Sequence, residues 1–135
     1  MRGVRFHMKS TIAVVLVLVF TSVRAYEAEQ ARNNFAHEAA ECAAYFLFAS
    51  TGPNLESDTA NGLRVRSEGL LELSITMSSQ ELTKARLNLA IETMKREMKA
   101  NWSNFSIVNQ KYGYRCLDFS NDPDDRMRYW LEKKE

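Results

Sequence analysis

The chain is poor in the residues that punctuate structure and in those that carry chemistry. Five Gly and two Pro in 135 residues fall well below the roughly 12% of average usage, which disfavours a turn-rich β protein and argues against disorder. Two His and two Cys leave little for metal ligation or nucleophilic catalysis. A true surplus of one charge is missing as well. The formal +1 comes from 18 Lys+Arg against 17 Asp+Glu, and four of those basic residues (Arg2, Arg5, Lys9, Arg24) lie in the first 25 positions, where there is no acid. The remaining 110 residues carry 14 basic and 17 acidic groups, net −3. A polybasic nucleic-acid binder is excluded, because no phosphate-neutralising surplus remains. A stretch of 110 residues suits one hydrophobic core and not two.

Positions 1–25 read as a secretory signal. Arg2, Arg5 and Lys9 make a basic start, Ile12 to Phe20 is an unbroken apolar run, and Val23-Arg24-Ala25 presents short side chains at −3 and −1 of a cut after Ala25. Met8, followed by Lys9 and Ser10, would start a more compact signal of the same kind. A retained anchor is disfavoured, since a spanning helix needs about 20 apolar residues and Thr11 to Val23 is only 13 positions long. The expected product is a single domain over 26–135, periplasmic or secreted, with no stable membrane anchor after cleavage.

Cys42 and Cys116 are the only cysteines, and both fall in the mature part. In an oxidising compartment they most simply pair with each other. No C-x-x-C is present for dithiol redox catalysis.

The apolar pattern is helical throughout. Ala28, Ala31, Phe35, Ala39, Cys42, Tyr45, Phe46 and Ala49 step by three or four over Glu27 to Ser50, until Gly52-Pro53 stops the helix. A second helix is expected from Leu55 to Met77 on the stripe Leu63, Leu70, Leu73 and Met77, widened by Leu71 and Ile75. Ser78-Ser79-Gln80-Glu81 reads as a capping box opening a third helix, with Ser78 at the cap. From Leu82 to Tyr112 one broad apolar face predicts a single rod reaching Gln110, about 48 Å at 1.5 Å per residue, with a Glu92–Arg96 pair outside and Gly113 as its stop. An extended link carrying Cys116, Leu117 and Phe119 follows. Asp122-Pro123-Asp124-Asp125 then opens a short fourth helix to about Lys133, with Met127, Trp130 and Leu131 inward. The expected fold is an all-α bundle of about four helices.

The possible chemistry is thin. His37 is the only histidine after cleavage, and His37-Glu38-Ala39-Ala40-Glu41 resembles a zinc-protease H-E-x-x-H helix whose second histidine is a glutamate. His37 and Glu41, one turn apart, are expected to pair electrostatically. A metal-dependent enzyme centred on His37, Glu38 and Glu41 is the alternative reading. Glu38 with Glu41, and Glu68 with Glu72, read as solvated helix faces, and the acids at 118–125 as capping groups. No catalytic, cofactor or metal set is expected. Asn101-Trp102-Ser103 and Asn104-Phe105-Ser106 match the glycosylation pattern and are read as chance.

The aromatics exert the strongest pull. Tyr45, Phe46 and Phe48 cannot all share one helix face, which leaves room for at least one of them to be exposed. Tyr45, Phe48, Trp102, Tyr112 and Tyr114 are the candidate binding surface. The functional expectation is a non-catalytic module that binds a protein partner or a small apolar ligand.

Overall fold

The computed structural model describes the backbone of residues 10–133 and the side chains of residues 23–133. Of the expected leader, residues 1–9 lie outside the described residues and positions 10–25 form the first turns of the first helix. The described chain is helical with no strand. It comprises α1 (Ser10–Ala49), α2 (Ser57–Met77), α3 (Gln80–Glu97), a 3₁₀ turn (Trp102–Asn104), α4 (Phe105–Val108), a π-turn (Asn109–Gly113), α5 (Tyr114–Asn121) and α6 (Pro123–Glu132). No helix among the described residues is long and apolar enough to cross a membrane.

α1 is the axis against which α2, α3, α5, α6 and the π-turn all pack. Its composition explains this role. Ala36, Ala39, Ala40, Ala43 and Ala44 are 0% exposed. Alanine loses no rotamer freedom in a helix and lets neighbouring backbones close in. α2 runs antiparallel to α1 and uses that closeness. Ser67 donates to the Ala43 carbonyl and Ser74 to the Ala36 carbonyl, each at 2.8 Å. Ser74 also meets the Thr83 hydroxyl at 2.8 Å, so one buried hydroxyl ties three helices together.

Because partners surround α1, the three neighbouring aromatics Tyr45, Phe46 and Phe48 are all buried, at 7%, 3% and 9% exposure. The room that the helix pattern leaves for one of them to face solvent is not used, for that reason. A helix packed on one side has an outer face, and α1 has no exposed position from Glu38 to Ala49.

Other expectations need correction too. The cap of α3 is Ser79, which accepts from the Leu82 N–H at 3.1 Å. Ser78 is spent closing α2, its hydroxyl and its N–H both reaching the Ser74 carbonyl, so it cannot also cap the next helix. The expected 48 Å rod is broken at residues 98–101, where Lys99 and Ala100 both take φ of 52°, in the left-handed region. The Ala100 N–H returns to the Lys95 carbonyl and the Lys99 N–H to Arg96, closing the helix without a glycine. The chain then swings Trp102 onto Phe48, ring centroids 4.9 Å apart. Gly113 does not stop a helix and Cys116 is not on an extended link. From Phe105 to Asn121 the backbone stays helical through the π-turn. Asp122 caps α6 as expected, accepting from the Asp125 N–H at 3.0 Å, with Pro123 at the first position. Leu131 is 56% exposed rather than inward, since Trp130 occupies the inner position. Glu92 pairs with Lys95 at 2.8 Å, while Arg96 turns to Thr93.

Candidate functional site

Three positions of α1, one turn apart, form a seam with the C-terminal third of the chain. Glu38, Cys42 and Tyr45 lie along one stripe and meet α6, α5 and the π-turn respectively. Cys42 and Cys116 form a disulfide with both residues 0% exposed and Cα atoms 5.1 Å apart. That pairing is as expected.

Glu38 is the electrostatic centre. Its side chain is 3% exposed and accepts two charge-assisted bonds from Arg126, Nε to Oε2 and Nη2 to Oε1, both at 2.7 Å. The Trp130 indole N–H donates to the same Oε2 at 2.8 Å. Arg115 Nη1 stands 3.5 Å from Oε1, while its Nη2 holds Glu41 at 2.6 Å. A buried carboxylate demands this much, because an unpaired charge in the interior is very costly. Glu38 is therefore not part of a solvated face. His37 is exposed and Glu41 is taken by Arg115, so the expected His37–Glu41 pair does not form. Among the described residues no group of three or more His, Cys, Asp or Glu side chains is placed to hold a metal ion.

At the other end of the seam, the Tyr45 hydroxyl donates to Asn109 Oδ1 at 2.7 Å. Burial pushes the Tyr45 phenol above its ordinary range, because ionisation there would place a charge in the core. Rings gather around it: Phe46 at 5.2 Å, Tyr112 at 6.3 Å and Phe105 at 6.4 Å. Trp102 bridges Phe48 and Phe105. Thus Tyr45, Phe48, Trp102 and Tyr112 do converge, but as core, with Trp102 half-buried. Tyr114 goes the other way, at 84% exposure. Leu117, three residues on along α5, is 43% exposed. Between them in sequence, Cys116 fixes α5 to α1.

A separate open groove of about 680 Å³ lies where α1 passes the α2–α3 turn, lined by Ala25, Ala28, Glu29, Arg32, Asn33, Met77, Ser78, Ser79 and Leu82. Asn33 is held in place by Arg86 from α3.

Arg115, Arg126 and Asn109 were not singled out from sequence. The available signal was Glu38 itself, which falls on the stripe of Phe35 and Cys42 where a charge requires a distant partner. No family model, curated protein sequence or solved structure matches this chain.

Proposed function

We propose that the chain is exported and matures to a non-catalytic, disulfide-braced helical module that binds a protein partner through the outer face of α5. The observation that carries this reading is the fixed presentation of Tyr114 and Leu117. A tyrosine with 84% of its surface in water, beside a half-exposed leucine on a helix immobilised by a buried disulfide, is a low-entropy contact of the kind that anchors interfaces. Glu38 and Glu41, the acids closest to a catalytic pattern, are engaged by arginines, which supports a binding role over a metal-dependent one. A protein partner is favoured over a small apolar ligand because the converging aromatics close on one another. Export is supported by the buried disulfide and by the position of the described core, since among the residues of α1 whose side chains are described the first buried one is Ala31. A cut after Ala25 leaves that described core whole.

The test is a photo-crosslinking amino acid at position 114 in the producing cells, with position 72 on the outer face of α2 as control. A discrete adduct at 114 that disappears with Leu117→Ser, while helicity and the disulfide persist, is expected. Equal labelling at both positions sinks the reading. The same preparation reports export, as a mass of residues 26–135 less two hydrogens.

A further inference from the structure

We propose that the Glu38 slot on α1 is itself an interaction surface for an arginine-bearing amphipathic helix, and that α6 is its resident occupant. The proposal rests on the reading of the chain as a binding module and names a partner chemistry at a second place. Among the described residues α6 packs only on α1 and α5. None of its residues is buried, and its link to α5 is the single residue Asp122. What holds it is polar: the two Arg126–Glu38 bonds and the Trp130 indole on the same carboxylate, with Met127 and Trp130 half-buried beside them. This is how a docked helical peptide binds, by a few anchors on one face. The remaining helices are secured differently, by buried hydroxyl bonds, by the disulfide or by fully buried apolar side chains.

The slot also holds a substitute counter-ion. Arg115 Nη1 is already 3.5 Å from Glu38, and its Nε is buried without a hydrogen-bond partner among the described residues. When α6 leaves, Glu38 keeps a cation within reach and the buried charge is not stranded. Undocking therefore costs less than the burial of Glu38 alone implies. The helix that fits the vacated slot has an arginine followed four positions later by a tryptophan, the spacing of Arg126 and Trp130, on an otherwise polar surface.

The experiment uses the oxidised full chain and a labelled synthetic peptide of residues 122–135. Tethered α6 competes at an effective concentration on the order of millimolar, so the peptide should bind the wild-type chain weakly. It should bind an Arg126→Ala chain at least about tenfold more tightly, because that competitor is weakened. A peptide carrying the Arg126→Ala change should lose about 30-fold, the lower end for removing one partner of a buried charge pair. Hydrogen exchange on the wild-type chain gives a second reading that needs no variant. The amides of α6 should open at least about 100-fold more often than those of residues 35–49, and more often still in high salt. Absence of peptide binding to a folded Arg126→Ala chain, or α6 exchange only through global unfolding, overturns the proposal. A concentration-dependent wild-type dimer dissolved by the peptide would assign the slot to a second copy and overturn the foreign helix. None of these readouts involves Tyr114, so failure here is separable from failure of the α5 surface.

Discussion

The Tyr45 hydroxyl reaches Asn109 Oδ1 across the bare flank of Gly113. A Cβ on Gly113 would stand 2.6 Å from that Oδ1 and 3.0 Å from the hydroxyl. The glycine is needed for space, not for an unusual φ, which is an ordinary −56°. Gly113→Ala therefore sets two effects against each other. Alanine gains about 1 kcal/mol of helix propensity, while the displaced hydrogen bond and the overpacking cost about 2–4 kcal/mol together. Net destabilisation of about 1–3 kcal/mol is expected from the difference of those two ranges. In a Tyr45→Phe/Asn109→Ala background the sign should reverse, because both blocking atoms are gone. Gly62 and Gly69 serve as controls. Nothing lies within 4 Å of a Cβ at either, so alanine there should stabilise by up to ~1 kcal/mol. Urea unfolding of the set decides it, and loss of stability in the double background would refute the steric account.

Glu38 and Glu92 each pair with a basic residue, and they should differ greatly in worth. Glu38→Gln removes a 3%-exposed carboxylate and leaves Arg126, a quarter exposed, without its fork. Breaking a fully buried pair costs about 3–5 kcal/mol. Partial solvent access to the two arginines brings the expectation down to about 2–3 kcal/mol. Glu92→Gln disrupts a pair whose side chains are 49% and 64% exposed and should change stability by less than ~0.5 kcal/mol. Equal shifts in the two urea midpoints would show that Glu38 is better solvated than its surroundings imply.

The contrast between those glutamates also shows what local sequence can and cannot convey. The class of fold, the stop at Gly52-Pro53, the cap at Asp122 and the Cys42–Cys116 bridge were legible because each depends on residues within one turn, or on there being only two cysteines. The break at Lys99-Ala100 was not, since it uses neither Gly nor Pro and is sustained by Trp102 packing on Phe48, far away in the sequence. The burial of Tyr45, Phe46 and Phe48 together was hidden for a related reason. Periodicity finds one apolar face, whereas α1 is enclosed by several elements at once. The candidate surface suffered most, because ring composition does not distinguish a convergent core from a patch. Only Tyr114 of the five proposed residues projects fully into water.

The disulfide should behave as a buried staple. Both cysteines are 0% exposed, so a reductant must wait for the seam to open, and free thiols should appear in native protein only with denaturant present. The bridge spans 74 positions, for which the chain-entropy account gives about 4.4 kcal/mol as an upper figure. Paired Cys42→Ser and Cys116→Ser substitutions should therefore cost a large share of the ~5–15 kcal/mol typical of such a domain, with residues 105–121 losing hydrogen-exchange protection first. Rapid reduction in the absence of denaturant would mean that the seam breathes far more than its packing suggests.

Alkaline titration examines the other end of that seam. Burial raises the Tyr45 phenol above the ordinary value near 10. Lys111 is also raised, chiefly by its hydrogen bond to Glu97 and then by one to Tyr112. For both groups the folded pKa exceeds the unfolded one. Their contribution to stability is thus fully present below pH ~10 and declines as pH rises through the folded values. Lys111 is 54% exposed, so its share is screened and small; Tyr45 should dominate. Absorbance at 295 nm should show a late-ionising tyrosine fraction, together with a fall in the urea midpoint over the same range. In Tyr45→Phe the late fraction should vanish and the alkaline fall should flatten. Should the late tyrosine survive that substitution, another phenol is the shielded one, and the Tyr45–Asn109 bond is not what closes the π-turn against α1.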